Sequence, residues 1–195
     1  MGFMKNKLDT TNLGAKRTSA LLRAALFRLL GNTPFEKITL IRLCKEAMIP
    51  RSTFYRHFED KYALLNYSID IFFEENQDKT NVVFFYDSQT TASFINKMFE
   101  KIDINRVQYQ KIFQVNKNGI LFAYLQEGII RILEEKIQIA AEAGFKIQVD
   151  IKLFTLLMSN FILYCTRVYL EFPEMLDREA FAENVRLFVE KRFFK

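Results

Sequence analysis

The 195-residue sequence has little of what turn-rich, disulfide-bonded or metal-binding domains need. It contains six Gly, three Pro, two Cys, one His and no Trp. Few backbone breakers beside 50% hydrophobic residues and 21 Phe argue against disorder and against a turn-rich β fold, and favour long packed helices. The single His57 has no Cys, His or acidic partners at metal-ligand spacing, so the sequence predicts neither a metal site nor a cofactor.

The two cysteines and the hydrophobic runs bear on the compartment. Cys44 and Cys165 lie far apart in apolar patterns, which favours buried thiols in a reducing compartment over a single disulfide. The longest uncharged apolar stretch is Leu153–Thr166, fourteen residues, whereas a membrane span needs about 20. Residues 1–11 are polar and charged and do not resemble a secretory signal. We therefore expect a cytoplasmic protein with no membrane partner.

Acidic residues are scarce in the first third of the chain. Residues 1–61 carry twelve Lys and Arg against five acids, a net charge of +7. Residues 62–195 carry sixteen against eighteen, a net charge of −2. A basic first third favours a polyanionic partner such as nucleic acid.

Apolar residues recur at helical spacing, and four helices are predicted in the first third. After a leader over residues 1–15, the first helix ends at the Gly31–Pro34 stop. Thr39 is a predicted N-cap of the second helix. A short third helix begins at Pro50 or the next residue and ends near Phe58. The fourth opens at Glu59-Asp60-Lys61, with acids at its positive end.

The remainder predicts an all-helical C-terminal region. A strand-like run, Val82–Tyr86, has no partner strand. Five more helices are expected, over residues 90–104, 107–115, 120–143, 147–172 and 177–193.

The segment Thr39–Phe58 carries the functional signal. A helix of about eight residues, a short turn and another short helix have the spacing of a DNA-binding helix-turn-helix. With Phe54 and Phe58 facing inward, Ser52 and Arg56 point outward, as groove edges and phosphates require.

Here the sequence resembles the TetR family of transcriptional regulators over about residues 16–66. The resemblance is carried by Ala24-Ala25-Leu26-Phe27, Phe35, Ile38-Thr39, Leu43-Cys44, Ala47-Met48-Ile49, Thr53-Phe54-Tyr55-Arg56-His57-Phe58, Lys61 and Leu64.

The resemblance implies roles for seven residues. Arg51, Ser52 and Arg56 match positions that approach bases or the nearby backbone. Thr39, Tyr55, His57 and Lys61 match positions that grip phosphates, and helix N-termini at Thr39 and Lys61 suit anions. The full predicted set of DNA-binding residues is Thr39, Arg51, Ser52, Thr53, Tyr55, Arg56, His57 and Lys61.

Two residues depart from the family pattern. Met48 stands where Gly is usual, and a positive φ there costs roughly 1–2 kcal/mol, so we expect a slightly different turn. Pro50 replaces the usual Ser, which removes one cap and one hydroxyl that faces phosphate.

The C-terminal region carries no motif of its own. Its aromatic residues either line an effector cavity, as the resemblance implies, or pack in the core or a dimer interface, which is the favoured alternative. The pocket candidates are Phe122, Phe161, Tyr164 and Cys165. The last two predicted helices are apolar on more than one face, which favours a homodimer through them.

The sequence therefore predicts an all-α protein with an N-terminal three-helix helix-turn-helix DNA-binding domain at 16–62 and a larger helical effector and dimerisation domain at 63–195. The expected function is a dimeric regulator, most often a repressor in this family, that binds a near-palindromic double-stranded DNA operator and is released by an unknown small molecule. The alternative is a family-like protein acting through protein contacts, such as a coactivator of an enzyme. An enzyme is less favoured, because no nucleophile–base pair, phosphate loop or paired-carboxylate motif is present.

Overall fold

The computed structural model describes residues 13–76, 88–144, 146, 150–172 and 177–189, and every regular element in these ranges is helical. The predicted all-α class is therefore confirmed, while the strand-like run 82–86 and most of the leader lie outside the described residues. The α-helices are α1 (Leu13–Leu30), α2 (Leu40–Ala47), α3 (Arg51–Tyr55), α4 (Lys61–Asn76), α5 (Ser88–Ile104), α6 (Arg106–Asn116), α7 (Leu121–Glu142), α8 (Ile151–Glu171) and α9 (Arg178–Val189). A 3-10 turn, Phe35–Lys37, joins α1 to α2.

Side-chain caps set the helix starts of the first third. The Thr39 hydroxyl accepts from the Arg42 N–H at 3.3 Å, which confirms the predicted cap of α2. The Asp60 carboxylate accepts from the Ala63 N–H at 2.8 Å, so α4 begins at Lys61 rather than at Glu59. Helices α1–α4 share one apolar core, whose fully buried members are Leu22, Ala25, Phe35, Leu43, Phe54 and Leu64.

A second apolar core lies between α5, α6, α8 and α9. The Phe99 and Tyr169 rings stack at 4.1 Å, and Phe181 meets Tyr169 edge-on at 5.6 Å. The Tyr169 hydroxyl donates to Asp103 at 2.7 Å, and the Arg106 guanidinium lies 4.4 Å from the Tyr169 ring centroid. Burial, with the Asp103 hydrogen bond next, raises the pKa of Tyr169 to about 12, so the hydroxyl stays a donor at neutral pH.

Polar side chains connect the two cores. Asn116, at the end of α6, is only 1% exposed. Its amide nitrogen donates to the Leu30 carbonyl at 2.9 Å, and its oxygen accepts from the Phe35 N–H at 2.8 Å. Gln108 donates to the Phe27 carbonyl at 2.8 Å. The segment between α1 and α2 is thus bonded directly to α6.

Helix α8 has an apolar face that the rest of the described chain does not cover. Its start at Ile151 is set by Asp150, whose carboxylate accepts from the Leu153 N–H at 2.8 Å, so the helix begins later than the predicted residue 147. Leu153, Leu157 and Tyr164 are 56%, 60% and 67% exposed. By length and composition alone this helix is also long and apolar enough to cross a membrane, although core helices pass the same test.

Candidate nucleic-acid interface

The turn between α2 and α3 is built around Met48. Its φ of 55° and ψ of 37° lie in the left-handed region, and the Ile49 N–H donates to the Cys44 carbonyl at 3.0 Å. The Met48 side chain is 86% exposed. The turn therefore adopts the conformation that Gly favours, and the expected strain of about 1–2 kcal/mol falls on a residue without compensating burial.

Helix α3 is anchored by two phenylalanines, which leaves its polar face open. Phe54 is 0% and Phe58 is 3% exposed, and their rings lie 5.8 Å apart. Arg51 and Ser52, at the start of the helix, are exposed. Pro50 precedes them with a φ of −59° and supplies no side-chain cap. A rigid core beneath the exposed Arg-Ser pair fixes the backbone position from which both side chains can reach a partner.

The structure places the remaining candidates around this helix. Thr39, Tyr55 and Arg56 are exposed, whereas Thr53 and His57 are half-buried. The Arg56 guanidinium donates to the Thr53 hydroxyl at 3.0 Å, which orients Arg56 along the outer face of α3. The structure thus brings seven of the eight predicted residues to α3 and the start of α2.

Lys61, the eighth candidate, has a different set of contacts. Its ammonium group donates to the carbonyls of Phe35, Glu36 and Ile38 at 3.0, 2.9 and 2.9 Å. These bonds use all three of its donors. Burial lowers the pKa of Lys61, an effect that Glu36 and Asp60 oppose. In this conformation Lys61 fixes the segment before α2 to α4 and has no donor left for a phosphate.

An ion pair also holds α2 against α1. The Arg28 guanidinium and the Glu46 carboxylate form an ion pair at 2.7 Å between α1 and α2.

Cys44 is a free buried thiol on the inner face of α2, and burial raises its pKa. Cys165 is likewise free and buried, with a pKa raised to about 11 by burial, so the prediction of two buried thiols is confirmed.

An apolar cavity of about 450 Å³ lies between α1, α4, α5, α6, α7 and α8. The four pocket residues predicted from the sequence do not line it. Phe122 and Phe161 pack on the second core, where Cys165 is buried. Tyr164 faces outward from α8 and is 67% exposed. Helical periodicity marks these residues as apolar but does not specify which neighbouring helices each one faces.

Sequence reasoning missed the residues around this cavity and the amide that connects the cores. Arg23, Glu75 and Tyr109 line one end of the cavity, and nothing in their local pattern separates them from ordinary surface residues. The sequence indicates Asn116 only weakly: it follows Ile112 by one helical turn, and a polar residue on a buried helix face needs a hydrogen-bond partner. Among the described residues, no group of three His, Cys, Asp or Glu side chains is arranged to hold a metal ion.

Several solved structures share this fold. A tetR family transcription regulator from Shewanella sp. PV-4 aligns with a TM-score of 0.58 at 14% identity, covering 87% of this chain and 95% of that one. The fatty acid degradation regulator FadR from Bacillus halodurans aligns at 0.57 and 14%, covering 91% and 97%. FadR from Bacillus subtilis, in complex with stearoyl-CoA, aligns at 0.53 and 16%, covering 87% and 96%. These identities establish the fold alone.

No curated protein matches the sequence. A family model does match: residues 21–67 fit the one described as bacterial regulatory proteins, tetR family. The matched range contains α2, the Met48 turn and α3, together with most of α1 and the first part of α4. Residues 21–67 are therefore similar to the DNA-binding part of bacterial regulatory proteins of the tetR family, and α2, the Met48 turn and α3 lie within the matched range.

Proposed function

We propose that this chain is a homodimeric repressor that binds a near-palindromic operator through α3 and is released by a small molecule. The observation that carries the proposal is the exposed Arg51-Ser52 pair at the start of a helix anchored by Phe54 and Phe58. An Arg in this position can bond the two acceptors of guanine in the major groove, which is worth about 1–3 kcal/mol in discrimination.

Phosphate contacts fall to the residues around α3. Thr39 and Tyr55 are exposed on either side of the turn, and His57 follows them half-buried. The N-terminus of α2, where Thr39 lies, also favours an anion through its backbone N–H groups. Such contacts position the protein on the duplex, while Arg51 and Arg56 read it. Lys61 acts indirectly, by fixing the segment that precedes Thr39.

Dimerisation is supported by the uncovered face of α8. Leu153, Leu157 and Tyr164 recur at spacings of four and seven residues, so they form one exposed apolar stripe. A large exposed apolar stripe marks an interaction surface. A two-fold dimer through α8 and α9 would place two copies of α3 on half-sites separated by a whole number of DNA turns.

Release by a small molecule is supported by the cavity of about 450 Å³, which falls within the range of about 300–1,000 Å³ for ligand pockets. In this proposal the ligand binds more tightly to a conformation whose two α3 helices no longer fit the operator, since only differential affinity shifts such an equilibrium. The Bacillus subtilis FadR structure contains stearoyl-CoA, an example on this fold of a ligand with a long acyl chain.

Genomic footprinting with matched variants tests the proposal. The Arg51→Ala variant should lose occupancy at specific sites that the wild type protects. Lys111→Ala is the control, because Lys111 is an exposed cation on α6, outside the helix-turn-helix. A reporter behind a protected site should increase in expression in the Arg51→Ala strain; decreased expression would indicate an activator instead. Unchanged occupancy would refute the assignment of Arg51 to base contact.

A further inference from the structure

We infer that the cavity beside α1 binds a monocarboxylate with an aliphatic chain. Arg23 holds the carboxylate, and the apolar wall of the cavity holds the aliphatic chain. The inference rests on the proposed function, because it names the ligand class of the proposed effector cavity. It also assigns α1, a helix of the DNA-binding part, a direct contact with the ligand.

The cavity wall is apolar over most of its surface. Among the described residues that line it, the polar hydroxyls of Ser68 and Thr166 donate to carbonyls of their own helices at 2.6 and 2.8 Å, so neither has a hydrogen to offer a ligand. The remaining wall from α4, α6, α7 and α8 includes Leu65, Ile69, Ile112, Leu125, Ile129 and Ile162. Such a surface favours an aliphatic chain over a polar solute.

Charged and hydrogen-bonding groups gather at one end. Arg23 on α1 forms a two-bond contact with the Glu75 carboxylate, at 3.2 and 3.4 Å. Tyr109 lies beside this pair, with its ring packed against Phe27 at 5.1 Å and Phe72 at 6.1 Å. In the part of the chain that the structure describes, the Tyr109 hydroxyl makes no hydrogen bond. Burial, with Glu75 next, raises its pKa to about 12, so it remains protonated and able to donate.

The balance of donors and acceptors points to an anionic head. Arg23 and Tyr109 both donate, and the Lys101 ammonium is close enough to bond the Glu75 backbone carbonyl at 2.8 Å. The Glu75 carboxylate is the acceptor that now occupies Arg23. The Arg23 side chain is 24% exposed and the Glu75 side chain 63%. Glu75 can therefore turn into water at little cost, because exposed ion pairs contribute little.

A ligand carboxylate can replace Glu75 on Arg23. A planar guanidinium bonds a carboxylate through two parallel N–H groups, and the burial of the attached chain holds the incoming carboxylate in place. The bound molecule would then touch α1 through Arg23 and Phe27, and α6 through Tyr109 and Ile112. Because those two helices belong to different parts of the protein, ligand binding would depend on how the parts sit against each other.

Calorimetric titration of the full-length protein with three ten-carbon probes tests the head group. Sodium decanoate should bind at least about tenfold more tightly than 1-decanol, which corresponds to about 1.4 kcal/mol, and decyltrimethylammonium should bind more weakly still. Equal affinities for decanoate and decanol would overturn the assignment of a carboxylate. The absence of binding by all three probes would overturn the cavity as an apolar ligand site.

Variants at the mouth separate a binding role from a structural one. Arg23→Gln should weaken decanoate at least about tenfold while leaving decanol unchanged. Glu75→Gln should strengthen decanoate, because the competing carboxylate is gone. A loss of decanoate affinity in Glu75→Gln would contradict the replacement of Glu75 by the ligand carboxylate on Arg23. The control is Arg131→Gln, which breaks a comparable ion pair with Asp70 on α4 away from the cavity and should leave both affinities unchanged.

A blocking variant and a DNA assay complete the test. Ala24 lines the cavity from α1 and is otherwise exposed, so Ala24→Phe should fill the mouth without removing core contacts and should abolish decanoate binding. Unchanged decanoate binding by a folded Ala24→Phe protein would place the site elsewhere. If decanoate binds as expected but leaves operator binding unchanged, the site stands and the proposed release mechanism fails. If another ligand releases DNA from the wild type but decanoate does not bind, the inferred ligand class is wrong, whereas the proposed function as a ligand-released regulator is retained.

Discussion

Replacing Asn116 by Leu tests whether the two parts of the molecule are held together by a buried amide. Asn116 is 1% exposed and bonds the Leu30 carbonyl, the Ile112 carbonyl and the Phe35 N–H at 2.8–2.9 Å. Ile112 keeps its helical bond from the α6 backbone. The Leu30 carbonyl ends α1, and the Phe35 N–H opens the 3-10 turn, so both lose their partner in the variant.

The magnitude follows from these two groups. A buried polar group without a partner costs about 1–3 kcal/mol, and the extra apolar burial of Leu offsets part of this. We expect the free energy of unfolding to fall by about 2–4 kcal/mol, measured by urea denaturation at fixed protomer concentration. Hydrogen exchange at the Phe35 amide should accelerate at the same time, because that N–H no longer donates to the protein.

Gln114→Leu is the matched control, because Gln114 is an exposed amide on the same helix. It should change the free energy of unfolding by less than about 0.5 kcal/mol. If Asn116→Leu were as stable as this control, with the Phe35 amide still protected, the buried connection between α1 and α6 would be refuted.

Three further variants test the helix-turn-helix. Met48→Gly should raise the free energy of unfolding by about 0.5–1 kcal/mol, because relief of the left-handed strain exceeds the entropy that Gly adds to the unfolded chain. A lower free energy of unfolding in urea denaturation would contradict this. Lys61→Met should lower the free energy of unfolding by about 1.5–3 kcal/mol, because three carbonyls lose a charged donor. Full stability with weakened DNA binding would instead indicate that Lys61 contacts a DNA phosphate. Thr39→Asp should keep the α2 cap and the thermal midpoint but weaken DNA binding in gel-shift titration, since a carboxylate would face phosphates; unchanged affinity would remove Thr39 from the interface.

Local sequence rules predicted the helix-turn-helix well because its signals are local. Thr39 caps α2 through a bond to a residue three positions away, and Phe54 and Phe58 mark the buried face by helical spacing alone. The sequence also showed that Met48 stands where the family usually has Gly. We expected the turn to differ for that reason, but Met48 adopts the left-handed conformation that Gly favours.

The contacts that sequence rules missed join residues far apart in the chain. The acceptors of Lys61 lie 23–26 residues earlier, and Asn116 reaches carbonyl and amide groups more than 80 residues away. The predicted pocket residues do not line the cavity for the same reason: Tyr164 follows the helical pattern of its neighbours but is exposed on α8. Periodicity assigns a residue to a face of its own helix, whereas a cavity is defined by which other helices face it.

The most direct test of the central claim is the salt dependence of binding to a footprinted DNA fragment, measured for the wild type and for Tyr55→Phe. If α3 meets a duplex and the basic side chains around it neutralise six or more phosphates across the dimer, affinity should fall steeply with salt, by about 10³-fold or more between roughly 50 and 200 mM. Loss of the exposed Tyr55 hydroxyl should weaken binding without changing that slope, because the hydroxyl is uncharged. Affinity that does not change with salt, or no binding even in dilute buffer, would contradict the claim that α3 meets DNA.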